Sequence, residues 1–77
     1  MRVELEFLVE PFKEGEPGPH VTAALEAVRA AGLTTEMGAF ATSAAGEVAT
    51  VATAVHDLIL AAVDQGATRL QIQVSMA

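Results

Sequence analysis

Two histidines, a row of glutamates and one serine beside a threonine are the residues in this chain that could do chemistry. His56 adjoins Asp57, a pairing that could orient an imidazole as a general base, but such a base needs a nucleophile within reach. Ser43 is the candidate nucleophile, and nothing in the spacing brings either histidine beside it. His20 follows Pro19 at the start of a helical stretch, where a histidine ordinarily serves structure or solvent. Glu4, Glu6 and Glu10 alternate along one segment. That spacing lines up carboxylates for acid–base work and, more often, marks a solvated strand face. The glycines at 15, 18, 32, 38, 46 and 66 match neither a dinucleotide fingerprint nor a phosphate-binding loop. The absence of cysteine excludes disulfides and thiolate metal sites, and the histidines lie far apart in sequence. The expectation is a chain that is not an enzyme, with no metal and no cofactor.

Six short elements must position these residues. Val3, Leu5, Phe7 and Val9 alternate with Glu4, Glu6, Leu8 and Glu10, the period of a strand buried on one face. Pro11 ends that strand, and the prolines and glycines from Pro11 to Pro19 predict a loop. Val21, Ala24, Leu25, Val28 and Ala31 fall at helical spacing, and Gly32 stands where a C-terminal cap glycine belongs. A short strand is expected over Leu33–Met37, a turn at Gly38, and a third strand over Phe40–Ala45 that Gly46 breaks. Glu47 to Gln65 predicts the longer helix, with Val48, Val51, Ala52, Val55, Leu58, Ile59 and Ala62 as its apolar stripe and Gly66 as its cap. From Arg69 to Ser75 a last strand follows, with Leu70, Ile72, Val74 and Met76 turned in and Gln71, Gln73 and Ser75 turned out.

Strand, helix, strand, strand, helix, strand is a split βαβ order. Right-handed crossovers then give an α+β, ferredoxin-like two-layer sandwich: a four-stranded antiparallel sheet in the order 4-1-3-2 with two helices on one face. A single domain over 1–77 is expected, with Phe7, Leu25, Val28, Val55, Ile59 and Ile72 largely buried.

Composition narrows the partners. Ten acids against Arg2, Lys13, Arg29 and Arg69 give a net charge of −6, a field that repels nucleic acid and favours cationic ligands. No apolar run approaches the ~18 residues of a membrane span, and MRVELEF has no signal-peptide stretch, so the expected location is the cytoplasm. Seventy-seven residues without staples bury a modest core, which leaves self-association as the remedy. The sheet face without helices carries Glu4, Glu6, Leu8 and Glu10 beside Gln71, Gln73 and Ser75. Small residues between Ala41 and Gly46 leave that face room for a ligand or a second sheet, or serve close helix packing on the other side.

Four stretches carry a resemblance: the opening strand running into Pro11, AALEAVRAAGL from Ala23 to Leu33, MGAFATSAAGE from Met37 to Glu47, and QGATRLQIQVS from Gln65 to Ser75. In these the chain resembles the YkoF-like and related thiamine-binding protein families, with Thr42, Gly46 and Glu47 at the places of the family's threonine, glycine and acid. Ala45 departs from the charged residue the family often carries before that glycine. The resemblance implies a non-catalytic binder of thiamine or its hydroxymethylpyrimidine precursor, assembled as a homodimer or homotetramer through its sheets. A site for such a ligand needs a carboxylate, hydroxyl or amide partners and an aromatic wall, for which Glu6, Thr42, Ser43, Gln71 and Phe40 are the candidates. An ACT-like regulatory or structural interaction module shares the element order and is the alternative. A small ferredoxin-like monooxygenase would need a histidine or aromatic cluster that the sequence does not supply.

Overall fold

The computed structural model describes residues 1–12 and 15–76. Its elements are β1 (Arg2–Glu10), α1 (Pro19–Ala30), β2 (Thr35–Met37), β3 (Thr42–Glu47), α2 (Val48–Asp64) and β4 (Arg69–Met76). The strands form one antiparallel sheet in the order β2-β3-β1-β4, which is the expected ferredoxin-like order read from the other edge. Lys13 and Glu14, within the expected Pro11–Pro19 loop, lie outside the described residues, as does Ala77.

β1 is central because its alternation suits a sheet covered on one side. Val3, Leu5, Phe7 and Val9 are buried beneath the helices, while Arg2, Glu4 and Glu6 are exposed on the other face. α1 and α2 pack against each other over β1 and β3. Burying side chains such as Leu5, Val28, Val51 and Leu58 contributes roughly 1.5–3 kcal/mol each. No helix of the described residues is long and apolar enough to cross a membrane.

The first helix starts two residues before the expected Val21. Pro19 occupies its first turn, where a missing N–H costs nothing, and the Gly18 carbonyl accepts from Val21 N (3.1 Å) and Thr22 N (3.2 Å). Both expected cap glycines lie in the left-handed region, Gly32 at φ 100° and Gly66 at φ 98°.

The middle of the chain differs most from its sequence reading. β2 begins at Thr35, because Leu33 turns into the core instead of joining the sheet edge. β3 runs from Thr42 to Glu47, so Gly46 does not break it. Gly46 pairs with Val3, and a Cβ added there would lie 2.6 Å from Leu33 Cδ2; the glycine makes room for that leucine. Thr42 and Ala44 face the helices and Ser43 and Ala45 the open side, as the alternation requires, but Phe40 precedes the strand and is 84% exposed.

α2 spans Val48–Asp64, one residue shorter at each end than read, and its buried stripe is rotated. Val51, Ala54, Leu58 and Ala62 are buried, Val55 is half-buried, and Val48, Ala52 and Ile59 are exposed. Ile59, expected in the core, is 38% exposed because the small Ala54 takes the inward position. Val74 and Met76 on β4 are likewise exposed, since β4 is an edge strand and the helices rest over β1 and β3. Ile72 is half-buried for the same reason.

Candidate ligand-binding face

The face of the sheet without helices is built around Glu6. Across β1–β3 it stands opposite Ser43, and across β1–β4 opposite Gln73; Ser43 stands opposite Glu36 of β2. One row, Glu36, Ser43, Glu6 and Gln73, therefore crosses all four strands, a span of about 14 Å at ordinary strand spacing. Between Thr42 and Gly46 β3 presents only Ser43 and Ala45 to this side, so its middle is lower than the glutamates flanking it.

The result is two concavities that meet at Glu6. One, of about 510 Å³, is lined by Arg2, Glu4, Glu6, Thr34, Glu36 and Ser43, with Gly32 and Ala45 at its margin. The other, of about 310 Å³, is lined by Glu6, Leu8, Phe40, Ala41, Gln71 and Gln73. Together they form a trough with an acidic end and an end made of an aromatic ring, an aliphatic chain and two amides.

Phe40 reaches this trough because of the turn between β2 and β3. The Gly38 N–H donates to the Ala41 carbonyl at 2.8 Å, and the tight connection holds Phe40 off the core as a wall. On the core side the same ring borders a narrow cleft with Phe12, Met37 and Thr42.

Charge is unevenly compensated along the face. Glu10 Oε2 forms an ion pair with Arg69 Nε at 3.3 Å and accepts from Gln71 Nε2 at 3.3 Å. Glu47 pairs with the N-terminal amino group at 3.4 Å. Among the described residues Glu4, Glu6 and Glu36, between those two, have no ion-pair partner. No group of described residues has the arrangement to hold a metal ion. One Gln71 amide hydrogen goes to Glu10, so its carbonyl oxygen and its second amide hydrogen are what it offers a ligand.

Of the five residues singled out in the sequence, Glu6, Ser43, Phe40 and Gln71 border the trough. Thr42 does not; it is 7% exposed and faces the helix layer, on the opposite side of the sheet from Ser43. Arg2, Glu4, Leu8, Thr34, Glu36 and Gln73 also line it and were not among those five. The alternation of β4 already turned Gln73 outward, whereas Glu36 enters only through the β2–β3 register. The histidines lie elsewhere: His56 Nδ1 sits 2.9 Å from Asp57 Oδ1 on the exposed side of α2, and the His20 ring contacts the Pro11 carbonyl.

Solved structures from several organisms share this fold. A domain of unknown function from Bacillus cereus aligns with 28% identity and a TM-score of 0.74, covering 99% of this chain and 76% of that one. A Thermotoga maritima protein, provisionally assigned to thiamine biosynthesis or salvage, aligns with 22% identity and a TM-score of 0.72, covering 100% and 85%. A hypothetical protein from Methanocaldococcus jannascii gives 18% identity and a TM-score of 0.72, covering 99% and 78%. No curated protein matches the chain. The family model for thiamine-binding protein matches residues 5–77, nearly the whole length. The chain belongs to the thiamine-binding protein family, with the ferredoxin-like fold and a thiamine-related, small-ligand-binding role.

Proposed function

We propose that the chain binds thiamine or its hydroxymethylpyrimidine precursor in the trough on the open sheet face, without catalysis, as a cytoplasmic homodimer or homotetramer. The observation that carries this reading is the convergence of Glu6, Ser43, Phe40 and Gln71 around one trough in a member of this family. An aminopyrimidine has flat faces for Phe40 to stack on and ring-edge donors and acceptors for the amides of Gln71 and Gln73. The thiazolium ring of thiamine is a permanent cation, which suits the carboxylates of Glu6, Glu4 and Glu36. Neither histidine lines the trough, so among the described residues no proton-transfer group beyond the carboxylates stands beside Ser43.

Self-association has its own support away from this face. β4 is an edge strand without proline or lysine, and its Val74 and Met76 are 39% and 65% exposed. Exposed Leu60 and Val63 on α2 add apolar surface. An assembly using these groups leaves the trough open. Isothermal titration tests the binding: saturable heat with thiamine or hydroxymethylpyrimidine is expected, and none with either at millimolar ligand would contradict the reading.

A further inference from the structure

Beyond the ligand's class, the trough carries information about its charge. The acidic concavity sets Glu4, Glu6 and Glu36 against Arg2, the one cation among its described lining residues, so three negative charges and one positive leave −2. The other concavity holds the aromatic and amide groups that suit a pyrimidine, so the two ends are chemically distinct.

We infer that the trough selects unphosphorylated, cationic thiamine and rejects the diphosphate. The inference rests on the thiamine reading above. With the pyrimidine on Phe40 beside Gln71 and Gln73, the thiazolium lies at Glu6, and its hydroxyethyl arm points toward Glu4 and Glu36. That arm bears the phosphates in the phosphorylated forms. A diphosphate there meets carboxylates on both sides, from β1 and from β2. Arg2 does not rescue it. Along β1, Arg2 stands two residues from Glu4 and four from Glu6, about 7 Å and about 13 Å, so a phosphate reaching it still lies against Glu4. An exposed charge pair shifts an equilibrium by roughly two- to five-fold. Three carboxylates acting together therefore separate the two ligands by roughly ten- to a hundred-fold at low salt.

Titrations of the intact chain with thiamine, thiamine diphosphate and neutral hydroxymethylpyrimidine, at low and high salt, test this. Thiamine should bind at least about ten-fold tighter than the diphosphate at low salt, and the ratio should narrow as salt rises. Glu36→Gln, an exposed change, should narrow it by roughly two- to five-fold. A diphosphate that binds as tightly as thiamine, or a ratio indifferent to Glu36→Gln, overturns the selectivity and leaves the thiamine site standing. Absence of binding by all three ligands overturns the thiamine reading itself, and the selectivity with it.

Discussion

Leu33 places its Cδ2 atom 2.6 Å from the position a Cβ would take on residue 46. The contact ties the Gly32–Thr34 segment, one margin of the acidic concavity, to the central strand β3. A methyl group at 46 has to displace a leucine that is 7% exposed and packed in the core. Gly46→Ala should therefore cost about 1–3 kcal/mol in urea unfolding. In the Leu33→Ala background the same change should cost less, because the space it needs is then empty. Equal costs in both backgrounds would show that the two residues are not coupled.

Phe40 separates binding from stability. At 84% exposure its ring contributes little to the core, so Phe40→Ala should change stability by less than about 0.5 kcal/mol. Loss of a stacking wall should weaken thiamine by about 0.5–1.5 kcal/mol, a few-fold in Kd. A variant that binds thiamine as the parent does would remove Phe40 from the site.

Adjacent residues on α2 should respond unequally to truncation. Leu58 is fully buried, and Leu58→Ala should cost about 2–5 kcal/mol. Ile59 is 38% exposed, and Ile59→Ala should cost less than about 1.5 kcal/mol. Similar losses at both positions, measured by denaturant unfolding, would mean the helix faces the core differently.

These residues also show what the sequence could and could not convey. β1 was legible because Val3, Leu5, Phe7 and Val9 alternate with polar residues, a pattern that only one sheet face satisfies. The segment TSAAGE of β3 has weak strand propensity; it is a strand because β1 and β2 pair with it on both sides. α2 is apolar nearly all round, so periodicity could place the helix but not its phase; packing against α1 chose Ala54 over Val48 and Ile59. For the site, Glu6 and Gln71 followed from alternation, whereas the phase of β3 that turns Ser43 to the open face did not. The adjacent hydroxyls of Thr42 and Ser43 cannot share a face in a strand, so Thr42 was bound to part from Ser43. Glu36 depended on a register that no local pattern encodes.

The unprotected β4 edge bears on assembly. Val74 lies on that strand, 39% exposed, and a charge there should oppose edge pairing and burial. Analytical ultracentrifugation of the parent chain should show a species larger than 7.9 kDa at tens of micromolar, and Val74→Lys should shift it toward the monomer. Moderate salt should favour assembly by screening a net charge of −6 per chain. A single 7.9 kDa species at every salt concentration would contradict self-association.

The central claim, that the open sheet face holds the ligand, is tested most directly by mapping amide chemical-shift changes as thiamine is added to the labelled protein. Perturbations should concentrate at Glu4–Leu8, Glu36, Phe40–Ala45 and Gln71–Gln73, the segments that line the trough. The exposed residues of α2, His56 and Leu60 among them, should stay unmoved. Shifts confined to α1 and α2, with Glu6, Ser43 and Gln71 silent, would contradict the account.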